Sequence, residues 1–286
     1  MNDNDLIIKL ILEKLNEKVI SIEKIFGGIT NRTYKVATTT NTYVFRVPGE
    51  GTSEIINRKE EEKSILLANK LQIDAKLYYY DKATGIKISQ FIVNSETLNL
   101  RTIKIEKNLI KVAELLKKLH TCKEKTKVDF DAMKLADKYK KCAINEGIEL
   151  FQDFEIYSKY IEKLNLQYKS ELVPCHNDTL CENWILSDEK LYLVDWEYAG
   201  MNDYLWDLAD LSIEAKFDDD TDAKLLGFYH LNSNYDLNRF YFNKINIDYL
   251  WSLWGLARIP YDSSMEDYSY QRWVRMKQNI KKYKLL

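Results

Sequence analysis

Hydrophobic spacing changes character near Asn94, and that change limits the folds open to this 286-residue chain. Before it, short runs of β-branched and aromatic residues alternate with Gly- and Asn-bearing turns. The pattern predicts strands over 21–26, 33–37 and 42–47, with 38–41 as a hairpin. Two more strands follow over 77–80 and 87–92, joined through Thr84-Gly85. One helix, 54–71, lies among them, and Leu6, Ile7, Leu10, Ile11 and Leu15 mark another at the N-terminus. Beyond Asn94 the helical period dominates, with apolar residues at 109, 112, 113, 116 and 119 in a helix over 106–120. Further helices are expected over 131–144, 149–166, 203–216, 219–231, 247–258 and 265–283. A β-rich segment joined to a helical one by an extended connection near 90–94 predicts a bilobal α+β fold. The N-terminal lobe would span 1–92 and the C-terminal lobe 93–286, with a ligand cleft between them.

The helical region is interrupted at Pro174–Asn183, PCHNDTLCEN, followed by two short strands and Asp195-Trp196-Glu197. Histidine, aspartate, asparagine and a second pair of acids at these intervals suit phosphoryl transfer, where catalysis is mostly positioning and charge neutralisation. Asp178 is the candidate base that orients a hydroxyl and takes its proton. Asn183, Asp195 and Glu197 are oxygen donors of the kind Mg²⁺ takes. An extended backbone over 195–197 would aim both carboxylates to one side. An isolated His-x-Asp usually only caps a turn; the companions downstream make the chemical reading the better one. His176 reads as scaffold for the loop, and His120 as a buried or capping residue.

Composition narrows the partners. Net charge is -2, with lysines spread along the chain, so no field for nucleic acid or an anionic membrane is implied. No run approaches the ~18 apolar residues of a membrane span. The N-terminus does not resemble a signal peptide. Four cysteines without a C-x-x-C pair, and three histidines, argue for reduced thiols in the cytoplasm rather than a zinc site.

Between the first two predicted strands lies Phe26-Gly27-Gly28-Ile29-Thr30-Asn31. Its glycines allow close backbone approach to phosphate, and Thr30 and Asn31 can donate hydrogen bonds. The segment is neither G-x-G-x-x-G nor a Walker A loop. Arg46, at the end of a strand, offers a cation for phosphates, with a partner among Glu60, Glu61 and Glu62 on the next helix. Trp251 and Trp254 stand three apart on a predicted helix and share a face.

These segments resemble the choline/ethanolamine kinase family, bacterial choline kinase type, within the aminoglycoside phosphotransferase and protein-kinase-like group. The likeness runs from about residue 20 to 275 and rests on FGGITNRTYKV, YVFRVPG, ISQFI, VAELLKKLH, CHNDTLCENWI and LVDWEYAGMNDYLWDLADLSIE. It implies ATP and Mg²⁺ as cofactors and choline or a similar amino alcohol as acceptor. Gly28, Thr30, Asn31 and Arg46 would hold phosphates, and Glu61 would pair with Arg46 in the place of the kinase lysine–glutamate pair. Gln90 and the backbone of Phe91 and Ile92 would receive adenine. DYLWSLWGLARI is similar to the family's aromatic acceptor helix, so Trp251, Trp254 and Glu214 would meet the ammonium. Tyr270, with Tyr268 as the alternative, would complete the cage. Trp206 and Asp207 would brace the motif loop. VNSETLNLR departs from some members in lacking an early arginine.

The expected reaction is transfer of the γ-phosphoryl group of ATP to choline. Ethanolamine, thiamine or an aminoglycoside are the alternative acceptors, and for a polyamine the Asp218-Asp219-Asp220 run is the discriminating feature. A ligand-sensing module without catalysis is the rival from another class; it would have no need of Asp178.

Overall fold

The computed structural model describes residues 2–25, 31–49, 51–52, 56–126, 129–188, 190–231 and 234–285. Its first part is an antiparallel five-stranded sheet with the order β1-β2-β3-β5-β4. The strands are β1 (Val19–Ile25), β2 (Asn31–Thr38), β3 (Thr42–Pro48), β4 (Leu77–Tyr80) and β5 (Lys87–Gln90). Thr38 closes the β2–β3 hairpin: its amide donates to the Asn41 carbonyl at 2.8 Å, and its hydroxyl accepts from the Asn41 amide at 3.0 Å.

Helix α1 (Asp3–Leu15) covers one face of this sheet. Ile7 and Ile11 are fully buried in a small core with Val36, Phe45 and Ile88. Arg32 Nε donates to Asp3 at 2.7 Å and pins the start of the helix to β2. Helix α2 (Arg58–Lys70) lies between the two parts of the molecule. Its cap is Asn57, whose side chain accepts from the Lys59 amide. Ile65 and Ala68 on α2 are buried in the core of the helical part, not that of α1.

The helical part contains α3 (Glu106–His120), α4 (Ala132–Asn145), α5 (Phe154–Asn165), α6 (Tyr204–Glu214), α7 (Asp219–His230), α8 (Leu237–Arg258) and α9 (Met265–Tyr283). Two small sheets sit at its face toward the first lobe. One pairs β6 (Ser95–Thr97) with β8 (Trp184–Ser187) and β8 with β9 (Lys190–Leu193). The other pairs β7 (Val173–Cys175) with β10 (Gly200–Asn202). The expected bilobal α+β arrangement is present. Helix α8 begins ten residues earlier than the helix predicted at 247, because it is buried nearly all round from Phe240 to Arg258 and has no polar face to betray its period. No helix among the described residues is long and apolar enough to cross a membrane.

Candidate active site

The motif loop between β7 and β8 is held by side chains beneath it. Asp207, on α6 and fully buried, accepts from the amides of His176 at 2.8 Å and Asn177 at 2.7 Å. His120 Nε2 meets the same carboxylate at 3.0 Å, and its Nδ1 meets the Tyr229 hydroxyl at 2.9 Å. Trp206 Nε1 donates to the Asn177 carbonyl at 3.3 Å. Asn177 is left-handed, with φ 66°, a conformation that short polar side chains tolerate better than others. His176 is buried against Trp196. Its Nε2 donates to the Val194 carbonyl at 3.0 Å while Nδ1 accepts from the Asp178 amide at 3.3 Å, which fixes the neutral tautomer. Burial lowers its pKa and keeps it neutral. Histidine and both braces are therefore scaffold, and Asp178 is the half-buried acid of the loop.

Beyond the loop lies an anionic cluster, made by α2 and the segment after β9. Oxygen atoms of Glu61, Asp195 and Glu197 all lie within 4.8 Å of one another. Arg46 threads between them: Nη1 donates to Asp195 at 3.0 Å, and Nη2 is bonded to Glu61 and to the Gly85 carbonyl at 3.1 Å. Glu197 Oε2 accepts from Asn31 Nδ2 at 3.0 Å. Burial opposes ionisation of Glu61, but Arg46 and Arg58 outweigh it and hold its carboxyl below the usual range. Glu197 is raised instead, by burial and then by Asp195. Asn183 Nδ2 donates to the Asp178 carbonyl at 2.9 Å, leaving the amide oxygen as the group offered to a cation. An all-oxygen set of this charge fits Mg²⁺.

The extended backbone expected at 195–197 is not found. β9 ends at Leu193 and Asp195 is left-handed, φ 69°, yet both carboxylates still reach Arg46, at 3.0 Å and 4.0 Å. Among the three consecutive glutamates, burial singles out Glu61 as the partner of Arg46. Gly28 and Thr30 lie outside the described residues.

At the connection, the Gln90 side chain is exposed, while the Gln90 backbone N–H donates to the Lys76 carbonyl at 2.8 Å. The Phe91 amide donates to the Thr42 carbonyl at 3.2 Å, and the Ile92 carbonyl accepts from the Ser95 hydroxyl at 2.7 Å. These backbone groups thus already take part in holding the connection.

A second group near the loop is an aromatic wall. Tyr198 meets Trp251 edge-on at 4.9 Å, Trp251 meets Trp254 at 6.0 Å, and Trp254 meets Tyr268 at 5.7 Å between ring centroids. Tyr270 is 57% exposed on the opposite face of α9, so Tyr268 is the tyrosine that joins the wall. Gly255 makes this possible, because a Cβ there would lie 2.9 Å from the Tyr268 ring. The Arg272 guanidinium stacks 4.5 Å from the Tyr268 centroid and pairs with Glu214. Asp210, one turn before Glu214, accepts from the Thr179 amide at 2.5 Å, and burial with the nearby Glu214 pushes its carboxyl up. The motif's Cys175 and Cys181 are buried free thiols pushed up by burial.

Sequence reading missed Arg58, Tyr198, Asp210 and Arg272. Only Tyr198, adjacent to Glu197 in Asp-Trp-Glu-Tyr, carried a signal in its position.

The family model of choline/ethanolamine kinases matches residues 22–250. The chain belongs to that family. A solved choline kinase LicA from Streptococcus pneumoniae is 30% identical, with a TM-score of 0.87 over 98% of this chain and 99% of that one. A LicA structure in complex with AMP is 30% identical, with a TM-score of 0.84 over 98% of each chain. Protein LicA of Haemophilus influenzae is 26% identical over 86% of this chain and 76% of its own. The fold reaches the antibiotic phosphotransferases: spectinomycin phosphotransferase superposes with a TM-score of 0.63 at 14% identity, covering 97% of this chain and 93% of its own. The expectation of family and fold group formed from the motifs is borne out.

Proposed function

We propose that the protein is a cytoplasmic choline kinase, transferring the γ-phosphoryl group of Mg-ATP to the choline hydroxyl to give phosphocholine. The observation that carries this reading is the place of Asp178. Its carbonyl accepts from Asn183 at 2.9 Å, and the amide of the next residue, Thr179, donates to Asp210 at 2.5 Å; the charges of Asp210, Asp195, Glu197 and Glu214 raise its own carboxyl. Asp195 and Glu197 suit a metal-bound nucleotide, and Asp210 and Glu214 a cationic acceptor. Asp178 would orient the acceptor hydroxyl and take its proton as transfer proceeds. Mg²⁺, held by Asn183, Asp195 and Glu197, would neutralise phosphate charge. Arg46 and Asn31, with Gly28 and Thr30 of the glycine loop, would hold the phosphates, Glu61 would keep Arg46 aligned, and Gln90, Phe91 and Ile92 would border adenine. Trp251, Trp254 and Tyr268 would present ring faces to the quaternary ammonium, with Glu214, which also pairs with Arg272, supplying charge.

Ethanolamine is the second reading. Asp210 Oδ1 is buried without a hydrogen-bond partner among the described residues, and a primary ammonium has N–H groups to offer where choline has none. The polyamine reading loses its ground, because Asp218 caps α7 through the Thr221 amide at 2.9 Å and Asp219 pairs with Lys282 at 2.8 Å. ADP release with choline, ethanolamine, thiamine and kanamycin, with Asp178→Ala as control, tests the proposal. Turnover with choline that the variant loses is expected; turnover only with another acceptor would overturn it.

A further inference from the structure

Arg58 is a second buried arginine at the anionic cluster, and none of the roles above uses it. It opens α2, three residues before Glu61, so both side chains leave the same face of the helix. Nη1 donates to Glu61 Oε2 at 2.8 Å and to Glu197 Oε2 at 3.5 Å. Nη2 donates to the Thr52 hydroxyl at 3.0 Å, and that hydroxyl donates to the Gly49 carbonyl at 2.8 Å. The side chain fills the space over Gly85, where a Cβ would lie 2.5 Å from its Nε. This is a built position rather than a surface arginine resting on an acid.

The charges show what the position does. Glu61, Asp195 and Glu197 together carry three potential negative charges within a few ångströms, and Arg46 and Arg58 are the two cations threaded among them. Like charges this close are tolerated only when compensated. Arg46 approaches all three acids, whereas Arg58 reaches Glu61 and Glu197 but has no contact with Asp195 among the described ion pairs. Asp195 is the more open of the two proposed metal carboxylates, with 27% of its side chain exposed against 2% for Glu197. Among the described ion pairs, a cation at Asp195 meets Arg46 alone, whereas at Glu197 it competes with Arg58 at 3.5 Å and Arg46 at 4.0 Å, and with the side-chain amide of Asn31 at 3.0 Å.

We propose that Arg58 is a resident counter-cation for Glu197 that suppresses metal binding until nucleotide phosphates arrive. Arg58 is thus a positioning residue: it acts through Glu197 and holds the metal site under-charged in the free enzyme. The proposal rests on the assignment of Asp195 and Glu197 as metal ligands. Its sign separates it from a purely structural role. Loss of a structural arginine loosens the site and weakens every ligand, whereas loss of a counter-cation leaves the acids more negative and tightens a divalent cation.

The test is calorimetric titration of the full chain with MnCl₂, with and without ADP, for wild type, Arg58→Gln and Arg58→Lys. Arg58→Gln is expected to bind Mn²⁺ without nucleotide about tenfold more tightly than wild type, the direction set by removing one positive charge at this range. The gain in Mn²⁺ affinity brought by ADP should shrink in the same variant. Arg58→Lys keeps the charge and should stay near wild type. Equal or weaker Mn²⁺ binding by Arg58→Gln overturns the proposal alone. Should Arg58→Gln not fold, wild type decides: Mn²⁺ must bind much more tightly with ADP than without, and equal binding overturns the proposal. Failure of wild type to bind Mn²⁺ even with ADP overturns the metal-site assignment and the proposal with it.

Discussion

Asp178 shows how a functional side chain works against the stability of the fold that holds it. Burial, then the negative charge of Asp210, Asp195, Glu197 and Glu214, raises its carboxyl well above the ordinary value of 3.8. A raised folded-state pKa means that the folded protein keeps the proton over a wider range than the unfolded chain. The resulting penalty is absent below the ordinary value, grows as pH rises and is complete above the raised one. Asp178→Asn removes the charge and keeps the shape. Its melting temperature without ligands should exceed wild type by about 2–6 °C near neutral pH, and the gain should vanish as pH falls toward about 4. Turnover should drop by roughly 10²–10⁴-fold while nucleotide binding persists. Melts across pH, with binding and ADP release at one pH, check all three. For Trp254→Ala the acceptor KM should rise roughly tenfold, the worth of a desolvated cation–π contact, and more than the ATP KM; steady-state kinetics on both substrates decide. At this scale the motif residues were legible because their spacing is set by the chemistry. Arg58 was not, since its partner Glu197 lies 139 residues away in the sequence. Tyr268 could have been chosen over Tyr270 from sequence. Met265, Ser269, Arg272, Trp273, Met276 and Ile280 form the buried stripe of α9, and Tyr268 adjoins it whereas Tyr270 falls opposite.

Among the elements, the contact of α8 with α9 sets the aromatic wall. Gly255 lies where the helices touch, with Tyr268 at 2.9 Å and the Ser269 Cβ at 3.0 Å from a Cβ built there. Ser269 also donates to the Ser252 carbonyl, locking the helices in that register. Gly255→Ala removes a helix-interior glycine, which alone would favour the helix by about 1 kcal/mol. Overpacking opposes this with about 1–3 kcal/mol, because the obstructing atoms include α9 backbone. The net expectation is a lower melting temperature. The displaced Tyr268 should raise the acceptor KM while the ATP KM stays near wild type. Thermal melts and kinetics with each substrate varied check the pair; unchanged acceptor KM would mean the wall tolerates the shift. The helices of the second lobe were legible where one face is wet, as in α3, whose ends agree with the sequence expectation. The first half of α8 was not, since burial on all sides erases the periodic signal. The short pairings of β6 and β10 were equally silent: three residues carry too little pattern to announce a strand.

For the molecule as a whole, the decisive fact is that its two cores differ in size and that the lobe proposed to hold nucleotide rests on the smaller. The sheet of the first lobe takes part of its core from α1, since Ile7 and Ile11 are fully buried against it. Helix α2 belongs elsewhere: Ile65 and Ala68 join the second core, and Ser64 donates to the Ala199 carbonyl at 3.3 Å. Arg46 stands on β3 while Glu61 stands on α2, so their pairing depends on the small core staying docked to the large one. Ile11→Ala should cost about 2–5 kcal/mol, the range for a buried aliphatic truncation, and the loss should fall on the first lobe. Calorimetry is then expected to show an early transition separated from the main one, where wild type melts in a single step or in closer steps. Nucleotide binding should fade with the early transition. The far-ultraviolet helix signal, carried mostly by the second lobe, should persist to the later one. A variant that melts in one cooperative step, with nucleotide binding and helix signal lost together, would show that the cleft couples the lobes more strongly than the division of their cores implies.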